Sequence, residues 1–145
     1  MKVCFDTSVL VAALVEDHPH HAPAASVLLS AKGKRIEAYV SAHALTELYA
    51  VLTRAPFTPP VYPAEVRQMI EQTILPIAGV VALSAAEYRQ VAAECADAGW
   101  TGGAIYDAVH IRAARKAECD RLYTFNVKHF RAIAPDEFRG RISAP

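Results

Sequence analysis

Lys2-Val3-Cys4-Phe5-Asp6-Thr7-Ser8-Val9-Leu10-Val11-Ala12-Ala13-Leu14 opens the chain and decides how the rest of it is read. Val3, Cys4 and Phe5 form a continuous apolar run, as in a strand buried on both faces of a parallel sheet. Such a strand has no use for a carboxylate at its end, yet Asp6 follows directly. Two hydroxyl residues come next, then an apolar helical pattern at Leu10, Ala13 and Leu14. Thr7 or Ser8 can cap that helix by accepting from its free N–H groups. Asp6 is thereby placed at the carboxyl end of a strand, where open α/β sheets bind their ligands. Taken alone, Asp6 is equally well explained as part of the cap.

Outward from this stretch, strand and helix alternate. Glu16 to Pro23 is a polar break with two prolines; its His18, His20 and His21 read as surface loop residues, because no Cys or carboxylate stands at metal-ligand spacing. A helix is expected from about Ala24 to Ala31, with Gly33 suited to its left-handed end. Glu37 to Val40 reads as a second strand and Ser41 as the cap of a helix over 42–54, with Leu45, Leu48, Tyr49 and Leu52 as its buried stripe. Glu47 lies beside that stripe, one and a half turns in. Ala55 to Pro63 holds four prolines in nine residues and is restricted to an extended loop. With the helix expected over 64–75 it forms a proline-tipped arm whose Phe57, Val61, Tyr62 and Met69 are more apolar surface than a small monomer leaves bare, so the arm is expected to bind a partner segment, aided by the region of the second helix.

Val80 to Leu83 reads as a third, buried strand. Ser84 and Glu87 then stand at capping-box spacing ahead of a helix over 85–98, with Tyr88, Val91, Ala92 and Cys95 inward. Gly99, Gly102 and Gly103 fit neither phosphate-loop spacing. Ala104 to Ala117 is a largely buried helix with Asp107 in its first turns, where the helix dipole favours negative charge. His110, one turn on, reads as a satisfied, partly buried histidine. Leu122 to Phe125 is a fourth strand that ends, like the first, on a polar residue, Asn126. The tail is basic.

The chain has 145 residues, about half of them apolar, enough for one domain spanning 1–145 with a real core. No apolar run approaches a membrane span, and an acid at position 6 does not fit a signal peptide, so a cytoplasmic protein without membrane contact is expected. Fifteen Lys and Arg balance fifteen Asp and Glu. Bulk charge therefore draws in no partner, and any nucleic acid must be held by local patches: Lys32, Lys34 and Arg35; Arg112, Arg115 and Lys116; or Lys128 and Arg131. Three cysteines without a CxxC exclude a zinc set.

The alternation predicts a three-layer α/β/α fold around a mostly parallel sheet of four to five strands. Such a sheet puts Asp6 and Asn126 on one edge, and the helices bring Glu47 and Asp107 to it. No Lys or Arg accompanies these acids in sequence. Two carboxylates ~5 Å apart repel by roughly 3 kcal/mol at an effective dielectric of 20, and three such pairs approach the whole stability of a domain. Either the acids protonate or a cation sits among them. All-oxygen ligands select Mg²⁺ or Mn²⁺, a setting suited to phosphodiester hydrolysis by a metal-activated water.

Phe5-Asp6-Thr7-Ser8-Val9-Leu10, Thr46-Glu47-Leu48, Tyr106-Asp107-Ala108-Val109-His110 and Tyr123-Thr124-Phe125-Asn126-Val127-Lys128-His129-Phe130 resemble, in order and spacing, the PIN-domain ribonucleases, and among them the VapC-type toxins of toxin–antitoxin pairs. The resemblance covers essentially the whole chain. It implies a PIN fold, Mg²⁺-dependent endoribonuclease activity on RNA, a homodimer and inhibition by a small antitoxin. Carried over, Asp6, Glu47 and Asp107 match the family's three central acids. Asn126 stands where many relatives have a fourth acid, a departure that weakens the metal site on paper. Thr7, Ser8 and Thr124 match hydroxyl positions near the metal. Asp120 is acidic but precedes the strand, at the wrong edge, and Trp100 is better suited to covering the core than to stacking on a base. Two alternatives stay open at this point: a PIN nuclease of RNA processing, and a non-catalytic RNA- or protein-binding module with a decayed metal site. An aspartyl-phosphate phosphotransferase would need a second acid next to Asp6, and none is there.

Overall fold

The computed structural model describes all residues, 1–145. Strand β1, Lys2–Phe5, is central. Helices α1 (Thr7–Leu14) and α2 (His21–Lys32) lead to β2 (Glu37–Ser41), and α3 (Ala42–Arg54) and α4 (Pro63–Met69) to β3 (Ala78–Val81). Helices α5 (Ala85–Ala98) and α6 (Ala104–Lys116) then precede β4 (Arg121–Tyr123); α7 (Val127–Ile133) and α8 (Asp136–Arg139) precede β5 (Ile142–Ser143). The sheet order is β3-β2-β1-β4-β5 and every pairing is parallel. The chain winds outward from β1 through β2 and β3, then returns to the other side of β1 for β4. The crevice between β1 and β4 is thus the switch point, where doubly wound sheets bind ligands at strand carboxyl ends.

Both faces of the sheet are covered, which is why β1 reads as an unbroken apolar run. Val3 and Phe5 face a core built with Leu10, Leu28, Val40, Leu48, Leu52 and Val66. Cys4, between them in the pleat, faces a second core of Ile111, Leu122, Phe130, Phe138 and Ile142. A third, smaller cluster of Val91, Cys95 and Val109 packs α5 on α6, and Trp100 lies against it. The cysteines are not all apart as their spacing suggests: Cys4 and Cys119 lie buried in the same core cluster.

Several local expectations are corrected. Asp6, not Thr7 or Ser8, is the N-cap of α1, accepting from the Ser8 backbone N–H. Gly33 keeps an ordinary φ of −79°, and Lys34 takes the left-handed position with φ 55°. Strand β3 begins two residues early and is an edge strand, so Val80 is exposed rather than buried. The helix expected over 64–75 is α-helical only to Met69 and continues as a π-helical turn, Ile70–Ile74. Tyr49, Tyr88 and Ala92 face solvent, leaving Leu45, Leu48 and Leu52 of α3, and Val91 and Cys95 of α5, to pack inward. The arm is not bare: Phe57, Val61 and Met69 pack on the larger core, and of the four only Tyr62 is exposed.

Candidate active site

At the carboxyl edge a cleft of about 510 Å³ is lined by Asp6, Thr7, Ser8, Glu47, Asp107 and Asn126, with His18, His20 and Phe125 at its border. Asp6 follows β1; Asn126 follows β4, three residues after the strand ends. Ser41 begins α3 with its hydroxyl on the Ala44 N–H, and the helix so started carries Glu47 inward. Gly99, left-handed at φ 72°, ends α5 where only glycine is free of a steric penalty, and the loop after it delivers Asp107 in the first turn of α6.

Asp6 is buried and rigidly held. Its Oδ2 accepts from the Ser8 hydroxyl at 2.7 Å and the Thr124 hydroxyl at 2.8 Å. Its Oδ1 is left with His110 Nε2 at 3.5 Å. Thr124 lies wholly buried behind the carboxylate and also accepts from the Asn126 N–H at 3.0 Å. Ser8 Oγ accepts from the Phe125 N–H at 3.1 Å, tying α1 to the segment after β4. Thr7 donates to Glu47 Oε1 at 3.3 Å. The three hydroxyl residues therefore hold carboxylates. Asn126 starts α7 but makes no side-chain cap bond, so its amide is free toward the cleft.

His110 is the residue that sequence reasoning underrated. It is 1% exposed, and its Nε2 lies 2.6 Å from Glu47 Oε1. Its Nδ1 lies 2.8 Å from Ser41 Oγ. The one signal was its place, one turn after Asp107 on a buried helix; its partners are 63 and 69 residues away in sequence. His43, one turn before Glu47, adds a second ring, with Nε2 3.5 Å from Glu47 Oε1 and no hydrogen-bond partner of its own. His18 and His20, expected as plain surface residues, border the cleft, and His20 stacks on Phe125 with ring centres 4.4 Å apart.

The electrostatics follow from these contacts. Burial opposes charge on Glu47, but the His110 hydrogen bond and charge outweigh it and hold the carboxyl below its usual pKa. Burial also opposes charge on His110, and the Glu47 bond with the charges of Asp6, Glu47 and Asp107 outweighs it, raising the imidazole. Asp107 has no cation of its own. Burial first, then the charge of Asp6, push its pKa up to about 6. No Lys or Arg side chain pairs with Asp6, Glu47 or Asp107.

No three His, Cys, Asp or Glu side chains form one metal-ligand cluster. The donors nonetheless fit a hard cation that keeps its water: Mg²⁺ is held through one or two carboxylates rather than an all-protein cage. Asp6 and Asp107, with the Asn126 amide, supply an all-oxygen set that lacks its counter-charge.

Known proteins agree with this fold. The PIN domain model matches residues 3–134. The chain is 35% identical over 123 residues to Ribonuclease VapC40 of Mycobacterium tuberculosis, in both the CDC 1551 / Oshkosh and the H37Rv strains, covering 85% of each chain. Among solved structures, it superposes on Mycobacterium tuberculosis VapC20, described as a Sarcin-Ricin loop cleaving toxin. The TM-score is 0.70 at 20% identity, over 90% of this chain and 94% of that one. It also superposes on VapBC2 from Rickettsia felis, bound to a DNA fragment from their promoter, with a TM-score of 0.63 at 18% identity over 91% and 92%. The chain belongs to the PIN-domain family. Within that family it falls among the VapC-type ribonucleases, as the four sequence motifs imply.

Proposed function

We propose that this protein, acting as one domain over 1–145, is a Mg²⁺-dependent endoribonuclease of the cytoplasm and the toxin of a toxin–antitoxin pair. The observation that carries the reading is the pair Asp6 and Asp107, which share one cleft with no Lys or Arg while Asp107 is pushed up to about 6. Asp6 Oδ1 and Asp107 would hold Mg²⁺, with Glu47 and Asn126 reached through its water. When bound, the ion supplies a water of lowered pKa and charge stabilisation on the phosphate. The protein's part is orientation: Ser8 and Thr124 fix Asp6, Thr7 and His110 fix Glu47, and the cleft borders accept the RNA. RNA cleavage should require Mg²⁺ or Mn²⁺ and stop with chelator. Asp6→Asn and Asp107→Asn should fold and lose activity by about two orders of magnitude or more. Full activity of either variant in metal-buffered assays would remove the assignment.

Partners follow the same reading. A groove of about 500 Å³ lies between α1, α2 and the π-helical turn, lined by Ala13, Leu14, Leu28, Leu29, Gln72 and Ile77. Leu29 is 59% exposed there, which favours this groove over the docked arm as the seat of an apolar antitoxin segment. The Rickettsia felis relative, solved as VapBC2, supports a bound partner. Hydrogen exchange of the complex should show protection at 25–29 and 72–77; full exchange there would refute it. The reading includes a homodimer, which light scattering tests directly.

A further inference from the structure

We propose that His110 is a positioning residue for the reaction: anchored by Ser41, it fixes Glu47 so that one carboxylate oxygen is locked and the other is presented to the attacking water. The inference rests on the ribonuclease reading above and goes further by giving Glu47 and His110 a joint task separate from metal binding.

Three observations carry it. First, the close contacts of Glu47 converge on one oxygen. His110 Nε2 at 2.6 Å, the Thr7 hydroxyl at 3.3 Å and His43 Nε2 at 3.5 Å all face Oε1, and no protein donor meets Oε2. Second, the imidazole cannot swing. It is 1% exposed, lies 6.3 Å from the Phe130 ring centre at 24°, and is held at its far side by Ser41, itself buried. Third, the Ser41 hydroxyl already accepts from the Ala44 N–H that starts α3. The cap that begins the helix of Glu47 and the side chain that orients Glu47 are therefore coupled through one oxygen. A neutral ring with its proton on Nε2 accepts a hydrogen bond from the Ser41 hydroxyl at Nδ1; an imidazolium donates one to the Ser41 oxygen. In both cases Nε2–H points at Glu47.

This arrangement divides the acids by task. Asp6 is met by two hydroxyls and, only at 3.5 Å, by His110, and Asp107 pairs with no Lys or Arg, so both suit a cation. Glu47 has one oxygen occupied by a rigid N–H and the other free, which suits acceptance of a proton or hydrogen bond from water at a fixed position. A 1 Å displacement of such a group is enough to cost a large part of the rate.

The test is a double-mutant cycle with two readouts, RNA cleavage under saturating Mn²⁺ and Mn²⁺ affinity by calorimetry without RNA. His110→Ala should lower kcat about 10- to 100-fold while the KM for RNA and the Kd for Mn²⁺ change less than about threefold. His110→Gln, which restores an N–H donor near the Nε2 position, should recover most of the loss. In a Glu47→Gln background, His110→Ala should cost little more, because the two act as one unit. If His110→Ala does not fold, the cycle is read with His110→Gln and Ser41→Ala. The proposal is overturned by unchanged kcat in His110→Ala, by an equal loss in Mn²⁺ affinity, or by full additivity with Glu47→Gln. These outcomes differ from failure of the ribonuclease reading, in which the unaltered protein shows no metal-dependent cleavage at all.

Discussion

The outer face of α5 and α6 and the carboxyl edge of the sheet use the same acidic residues in opposite ways. On the outer face Glu87 meets Lys116 at 2.6 Å, Glu94 meets Arg112 at 2.6 Å, and Glu137 of α8 meets Arg115 at 3.1 Å. At the carboxyl edge Asp6 and Glu47 share one buried imidazole, and neither they nor Asp107 pair with a Lys or Arg. The two settings pull carboxyl groups apart. The Lys116 hydrogen bond, with the Ser84 backbone, holds Glu87 down at about 2, whereas burial and Asp6 push Asp107 up to about 6. A net charge of zero conceals this partition. Ion pairs on a wet surface contribute little to stability, but acids gathered without cations oppose the fold. The edge that carries this cost is the one where the sheet's winding reverses, and the pairing of charge rather than its sum identifies the site.

The sharpest way to break that contrast is to remove the charge of Asp107 and measure stability instead of activity. Because the folded carboxyl sits near 6, above its ordinary 3.8, the folded chain binds this proton more tightly than the unfolded one. The charge of Asp107 therefore costs stability fully above about pH 6, and the cost fades as pH falls through that value toward 4. Asp107→Asn should stabilise the metal-free protein at pH 8 by about 1–2 kcal/mol, after discounting for solvent screening of this half-buried group, and by nothing near pH 4. Saturating Mg²⁺ should reverse the order, since binding stabilises only the chain with its acid pair intact. Denaturation in chelator at both pH values reads this directly. A variant no more stable than the parent at pH 8 would mean the acids are not in conflict.

The same contrast shows what could be read from the chain and what could not. Asp6 was legible because a strand buried on both faces has no local reason to end on an acid. Ser41 and Ser84 were legible because capping is local, and the helices they start run over 42–54 and 85–98 as expected. His110 was not, because its role depends on Ser41 and Glu47, elements placed beside it only by the sheet. The arm was misjudged for a related reason: prolines rule out regular structure at Phe57 and Val61 but say nothing about docking. Strand β5 is two residues long and could not stand out from a basic tail. Lys34 shows a local rule losing to neighbouring geometry. Its N–H bonds Ala31 O and the Arg35 N–H reaches back to Ser30 O, so the left-handed residue falls one position after the glycine.

A smaller effect sharpens the comparison at Asn126. A fourth acid is missing there, and the structure leaves the amide free of any capping bond. Asn126→Asp should tighten Mn²⁺ binding without RNA by about three- to tenfold, the order expected for one more charge across a solvated cleft. The metal-free protein should lose stability in step, as more unpaired charge collects at one edge. If Asn126 served only to start α7, Asp would do so equally well. An unchanged calorimetric isotherm would take position 126 out of the site.

The smallest effect concerns the cations that remain for RNA. Of the three basic patches, Arg112, Arg115 and Lys116 are tied to Glu94, Glu137 and Glu87. Lys32, Lys34 and Arg35 precede β2, and so stand at the amino edge of the sheet, across the molecule from Asp6. Arg131 spends its guanidinium on the Ile142 carbonyl. Lys128 is left: exposed, without an acid, and two residues past Asn126 at the start of α7. A cation counts toward RNA binding only if it releases counterions from a phosphate, and one already paired releases none. Lys128→Glu should therefore weaken RNA binding and flatten the log–log salt dependence by about 0.7, the increment of one phosphate on a single strand. Arg112→Ala should leave that slope where it was and cost less than about 1 kcal/mol of stability. Equal slopes for the unaltered protein and Lys128→Glu would move the RNA path away from α7. A slope that falls with Arg112→Ala would show that the paired face opens to RNA after all, and the division between the two regions would no longer hold.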